Sequence, residues 1–169
     1  MSTCDLRYVS HKMYEGKPKL EGLPATFATE ESGCSTLEIT MYDKYADIEV
    51  VLIYTAFDKL DVITRSAVIT NKSEKPFKIT RALSACVDFD TDKMDMITLN
   101  GSWAIERAVE RCRLHHGKQL VDSCRGESSH QNNPFVALCD NNADEDKGEV
   151  FGFNFVYYGN FYAQAEVTQ

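Results

Sequence analysis

Two neighbouring segments with the side-chain patterns of β-strands constrain the fold more than any other feature of the sequence. Residues 37–42 alternate apolar and polar side chains, which predicts a strand with one buried face and one wet face. Residues 48–57 are nearly all apolar, and most are β-branched or aromatic, which is typical of a strand covered on both faces. Only the short polar stretch 43–47 separates the two, so we predict an antiparallel hairpin.

Strand patterns continue along the rest of the chain. We predict further strands at 62–70, 77–89, 135–138, 150–158 and 161–167. Residues 103–114 are ambiguous, because Ala, Glu and Arg favour a helix while the apolar positions form no clean helical stripe; we favour a strand. At least eight strands and little helix predict an all-β sandwich or barrel. We find no internal repeat or linker, so one domain over 1–169 is the simplest partition.

The charge balance limits the partners that this protein can have. The 169 residues include 18 basic and 26 acidic side chains, for a net charge of −8. This argues against nucleic acid, which binds basic surfaces. No apolar run reaches the roughly 18 residues of a membrane span, so no membrane partner is expected. The first five residues lack the pattern of a secretion signal, and we expect a cytoplasmic protein.

No spacing in the sequence predicts a metal or cofactor site. The six cysteines form no Cys-x-x-Cys pair and match no common zinc spacing, so reduced thiols are expected. The acidic run 88–95 begins like a calcium loop, but Lys93 stands where the loop needs glycine and Leu99 where it needs glutamate. The run 140–146 fails in the same way, with Glu145 at the glycine position.

The polar segment 125–135, Arg-Gly-Glu-Ser-Ser-His-Gln-Asn-Asn-Pro-Phe, differs from the strands around it. A nucleophilic role for its Ser-Ser-His run has no support, because there is no Gly-x-Ser-x-Gly elbow and neighbours on a strand point to opposite faces. Its side chains suit bidentate contacts with hydroxyls or carboxylates. They equally suit hydrogen bonds that hold a loop together, and for a single polar run the structural role is favoured.

Four stretches of the chain resemble the N-terminal β domain of bacterial α-galactosidases of glycoside hydrolase family 36. They are residues 5–27, 61–89, 125–138 and 148–167, and together they cover nearly the whole chain in order. The most specific match is the motif Arg-Gly-x-Ser-Ser-His-Gln-x-Asn-Pro-Phe. Residues 100–111 resemble a strand of the same family, which favours a strand for the ambiguous segment. The resemblance implies an antiparallel supersandwich of the galactose-mutarotase type.

The same resemblance implies an enzyme that removes terminal α-galactose from oligosaccharides such as melibiose and raffinose with retention of configuration. In such a mechanism one aspartate attacks the anomeric carbon and another is the general acid and base. In the family both lie on a (β/α)8 barrel of about 250 residues that follows the β domain. The resemblance also places further strands before Asp5. We therefore expect a domain segment truncated on its N-terminal side, with no catalytic residue of its own.

Five residues are our candidates for a contact with sugar at the active-site rim or with another subunit. They are Trp103, Arg125, His130, Gln131 and Asn133. The resemblance implies a homo-oligomer, in which the β domain supports the enzyme and its α-galactoside site. The alternative is a free-standing carbohydrate-binding module, although the chain has one Trp and its other aromatic residues mostly fall in strand patterns.

Overall fold

A computed structural model describes residues 4–22 and 24–168 of the chain. Those residues contain strands and irregular segments but no helix, and hence none with the length and apolar character of a membrane span. The strands are β1 (Arg7–Glu15), β2 (Cys34–Asp43), β3 (Ile48–Phe57), β4 (Ile63–Asn71), β5 (Met94–Ser102), β6 (Ile105–Arg113), β7 (Gly117–Ser123), β8 (Asn132–Asp140), β9 (Val150–Asn154) and β10 (Phe161–Val167).

The strands form antiparallel sheets, which confirms the all-β prediction. One sheet has the order β1-β2-β3-β4, a second has the order β6-β5-β8-β9, and β7 pairs with β10. The described chain divides into two compact units: the first holds residues up to Gly22 and Thr26–Val87, and the second holds the residues from Asp88 onwards together with Pro24 and Ala25. The first unit holds the first sheet, and the second unit holds the other two. One domain over 1–169 stays a prediction.

The predicted β2–β3 hairpin is the centre of the first unit. Its register is continuous from Cys34 opposite Phe57 to Asp43 opposite Ile48. Asp43 is buried, and its carboxylate accepts hydrogen bonds from the backbone N–H groups of Ala46 (3.0 Å), Tyr45 (2.8 Å) and Asp5 (2.8 Å). These hydrogen bonds, that of Ala46 foremost, hold the pKa of Asp43 below its usual range. One carboxylate therefore fixes the turn and also holds the chain that enters β1.

The core of the second unit lies between the four-stranded sheet and the β7–β10 pair. Its buried residues are Met94, Met96, Val121, Val136, Leu138 and Phe161. Alternate residues of β5 and β8 supply four of them, as expected where one face of a sheet is covered. The two sheets of this unit thus share one apolar layer.

Residues 77–89, predicted as a strand, form none in the structure. Most of their apolar side chains are exposed, with Ile79 at 50% and Leu83 and Val87 at 54% of full exposure, whereas Phe89 is partly buried against the core of the second unit. The alternation of this segment suits a strand, but a strand also needs the backbone of a neighbour for its hydrogen bonds. No described strand lies beside it in the sheet order, so the prediction of a strand is wrong for this chain.

Two other predictions depended on local sequence, and the structure settles both. The ambiguous segment 103–114 contains β6 and is a strand, as favoured. The strand predicted at 150–158 is too long, because β9 ends at Asn154. The residues that follow it form a loop with Gly159 and Asn160, both residue types that interrupt strands.

Candidate functional site

Trp103 lies at the tip of the β5–β6 hairpin and is 91% exposed. Ser102 pairs with Ile105, so Trp103 and Ala104 form a two-residue connection. Such turns require positive φ, which is costly for alanine, and Ala104 has a φ of 66°. The carboxylate of Glu106 accepts a hydrogen bond of 2.9 Å from the Ala104 N–H. The hairpin therefore presents the one tryptophan of the chain to solvent from a constrained turn.

The segment 125–135 runs from the loop after β7 into the first residues of β8, and hydrogen bonds of its backbone groups hold it in place. The Gly126 N–H donates to the Asn160 side chain over 2.7 Å, and the Ser128 N–H donates to the Tyr158 carbonyl over 2.5 Å. The Phe155 N–H donates to the Pro134 carbonyl over 3.0 Å. These contacts give the segment the structural role that a polar run most often has. They leave Arg125, His130 and Gln131 exposed.

Asn133 connects this segment to the tryptophan hairpin. Its side-chain amide donates to the carbonyl of Leu99 on β5 over 3.1 Å, and the neighbouring Asn132 lies opposite Asn100 in the sheet. Trp103 follows β5 directly, so the beginning of β8 and the tip of the hairpin lie at the same end of one sheet. Arg125 lies towards the opposite end of the segment, next to Gly126 and its contact with Asn160. The structure thus brings Asn133 into contact with the hairpin that carries Trp103.

Sequence reasoning missed an exposed aromatic pair beside this segment. Tyr157 and Tyr158 are 49% and 60% exposed, and their rings stack with centroids 6.3 Å apart and an interplanar angle of 23°. A Cβ at Gly159 would overlap the Tyr157 ring, so the glycine leaves room for that ring. The Gly159-Asn160 pair was a turn signal that placed the tyrosines in a loop, where aromatic rings can be presented to a partner.

Metal chemistry has no visible basis in the described part of the chain. No group of three or more His, Cys, Asp or Glu side chains there could hold a metal ion. The six cysteines are free, and two of them, Cys34 and Cys139, are buried. Burial raises the pKa of the Cys139 thiol, which keeps it protonated and unreactive.

The match to a family model decides which family the chain is from. The model of the glycosyl hydrolase family 36 N-terminal domain matches residues 1–169. The chain belongs to this family. Family membership and the antiparallel β fold predicted from the resemblance are therefore both confirmed.

Named relatives of this family 36 domain are α-galactosidases. The chain is 54% identical over 168 residues to α-galactosidase AgaA of Geobacillus stearothermophilus, covering 99% of this chain and 23% of that protein. It is 42% identical to α-galactosidase C of Emericella nidulans, covering 98% of this chain and 22% of that protein. The chain therefore spans less than a quarter of the length of these relatives.

Solved structures give the same result for the fold. The crystal structure of the Geobacillus AgaA enzyme matches 100% of this chain and 24% of its own length, with a TM-score of 0.96 and 53% identity. A variant of that enzyme has been solved in complex with raffinose, and this chain matches it with a TM-score of 0.95 over 99% of its residues. The backbone fold of this chain is therefore closely similar to that of the matching segment.

Proposed function

We propose that this chain is a noncatalytic N-terminal β-domain segment of a cytoplasmic α-galactosidase that hydrolyses terminal α-galactosides such as raffinose and melibiose. The family match over the whole chain carries the proposal. The complex of the related Geobacillus enzyme with raffinose supports the substrate class. In this proposal the aspartates of a retaining glycosidase belong to another part of the protein, and this segment supports the fold.

The arrangement of exposed residues in the second unit favours a further role at the rim of the active site or between subunits. Trp103, Tyr157 and Tyr158 present aromatic surface, and rings of this kind bind sugars and protein partners at little cost in conformational entropy. Exposed Arg125 and His130 supply hydrogen-bond donors. We propose that these residues contact either the substrate or a second subunit of a homo-oligomer.

A chimaera with the related enzyme tests the proposed function. Replacing the matching segment of the Geobacillus enzyme with this chain should keep turnover of an aryl α-galactoside within about tenfold of the parent enzyme. The 169-residue chain alone should give no turnover above background. Hydrolysis by the purified chain alone, or a folded chimaera without activity, would contradict the proposal.

Substitutions in the chimaera separate the two roles of the exposed residues. At the rim, Trp103→Ala and His130→Ala should raise KM for raffinose with kcat unchanged, because a contact made equally in ground and transition states is lost. At a subunit interface, the same substitutions should instead reduce the mass measured by light scattering. Lys59→Ala, at an exposed turn position of the first unit, is the control and should change neither quantity. If neither changes in the two variants, these residues have no rim or interface role.

A further inference from the structure

One face of the first sheet is apolar, and the described residues leave much of it uncovered. Residues directly opposite each other in neighbouring strands share a face of the sheet. The two central rows of this face are Ile39, Leu52 and Ala67, and Met41, Val50 and Ile69. Five of these six side chains are half-buried or exposed. On the other face, β2 carries Thr36, Glu38 and Thr40, so the sheet has a more polar face and one that we call the apolar face.

The chain exposes more surface than compact folding of its two units would leave. Its accessible surface is 12801 Å², whereas two separate compact units of half its 19.1 kDa mass would together expose about 10,100 Å². A sheet of four strands with nine or ten residues each measures about 19 Å by 30 Å, so two facing copies would cover about 1,100 Å² in total. That area exceeds the roughly 1,000 Å² that a specific protein–protein interface needs.

Charge does not oppose contact between two copies of the apolar face. Its charged side chains are Glu15 and Arg65, which have opposite signs, and Asp43, which is buried at the end of β2. The net charge of −8 therefore lies mainly on other surfaces. Arg65 already donates to the Tyr54 hydroxyl over 3.1 Å and to the Leu83 carbonyl over 3.3 Å, so its guanidinium keeps partners when the face is covered.

We propose that the apolar face binds a second copy of this chain, with the first sheets of the two copies packed face to face around a two-fold axis. Such an axis places the same residues of both copies in the contact. Sheets pack in this way in β-sandwiches, with the apolar side chains of their inner faces between them. This inference does not rest on the proposed function, because the exposed residues named there lie in the second unit.

Sedimentation velocity of the 169-residue chain over a range of micromolar concentrations is the test. The chain should sediment with twice its mass of 19.1 kDa and dissociate on dilution. Ile69→Glu should raise the dissociation constant at least about tenfold, because the two-fold axis buries the new carboxylate in both copies. Val68→Glu is the matched control. Val68 precedes Ile69 on β4 and lies on the opposite face, and it is 46% exposed compared with 38% for Ile69, so the dissociation constant should not change.

A second variant keeps the test decisive if Ile69→Glu fails to fold. Met13 lies opposite Leu37 on the apolar face and is exposed, so Met13→Glu should leave the fold intact and also weaken association. Circular dichroism checks that each variant keeps its sheets.

Three outcomes would overturn the inference. A monomer at every concentration would leave the apolar face to another part of a longer polypeptide. Association that is unchanged in either folded glutamate variant of the apolar face, or equally weakened by Val68→Glu, would place the contact at a sheet edge or on another face. Aggregation without a defined dimer would show nonspecific adhesion. None of these outcomes affects the activity of the chimaera, which tests the proposed function.

Discussion

Arg111 on β6 donates from Nε to the carboxylate of Asp95 on β5 over 2.6 Å. Its other nitrogens donate to the carbonyls of Asp140 (2.9 Å) at the end of β8 and of Asn141 (3.0 Å) and Ala143 (2.7 Å) in the loop that follows. The hydrogen bond to Asp95 is the main reason that the pKa of Arg111 is raised further. One planar guanidinium with five donors can satisfy such a set of acceptors. Arg111 therefore ties two paired strands to a polar loop.

We expect Arg111→Ala to lower the free energy of unfolding clearly more than Arg113→Ala does, because four charged hydrogen bonds are lost. Arg111→Lys should recover little, since one ammonium group cannot reproduce the fork geometry. Arg113→Ala is the control: Arg113 lies 3.8 Å from the same Asp95 and its side chain is 68% exposed, so a change below about 0.5 kcal/mol is expected. Urea unfolding followed by circular dichroism measures all three variants. Equal losses in the alanine variants would contradict the role of Arg111.

Asp43 makes the stability of the first unit depend on pH in the acid range. Hydrogen bonds from backbone N–H groups lower the pKa of Asp43 in the folded state. The ionised carboxylate therefore stabilises the folded state fully at pH values above the unfolded pKa of about 3.9. That contribution is lost as the pH falls through the lower folded pKa. We expect Asp43→Asn to lower the free energy of unfolding near neutral pH, because a carboxylate oxygen that accepts backbone hydrogen bonds is lost, and we expect the difference from wild type to disappear in strong acid. Urea unfolding across the acid range measures this difference, and Asp61→Asn, at an exposed position, is the control.

Tyr14 and Glu38 form a cross-strand pair with the opposite pH dependence. The Tyr14 hydroxyl donates to Glu38 Oε1 over 2.5 Å, and burial together with this carboxylate raises the pKa of Tyr14 to about 12. Because this pKa is raised, the protonated Tyr14 hydroxyl stabilises the folded state fully at pH values below the unfolded pKa of about 10. That stabilisation is lost as the pH rises from about 10 to about 12. We expect Tyr14→Phe to remove the highest-pH part of the tyrosinate absorbance titration. Glu38→Gln should move that part to lower pH, and an unchanged curve in both variants would contradict the pairing.

Local sequence was enough to predict elements whose partners are adjacent in the chain. The β2–β3 hairpin follows from two runs joined by a short polar turn, and its register is as continuous as the pattern suggested. Residues 77–89 have an equally good strand pattern, yet they form no strand because no described strand lies beside them. Alternation specifies which side chains share a face, but pairing depends on a partner that the local pattern does not reveal.

The candidate site could be predicted only in part, for a similar reason. Trp103 and the polar segment 125–135 were singled out from the sequence, whereas the hairpin that carries Trp103 was not predicted; the structure shows that Asn133 of the segment donates to the carbonyl of Leu99 in that hairpin. The Tyr157–Tyr158 pair was hidden in a segment whose apolar residues suggested a longer strand.

The hairpin that carries Trp103 depends on Gly101, which supplies a final test. A Cβ at Gly101 would overlap the backbone carbonyl oxygen of Ile105, and backbone cannot move aside as a flexible side chain can. We expect Gly101→Ala to lower the free energy of unfolding by about 2–3 kcal/mol and to shift the fluorescence of Trp103.

Gly152→Ala in β9 is the matched control, because its Cβ would lie 3.7 Å from the Phe135 ring, an ordinary contact. That change should be neutral or stabilise by up to about 1 kcal/mol, so equal effects of the two substitutions would show that the hairpin tolerates a side chain at Gly101.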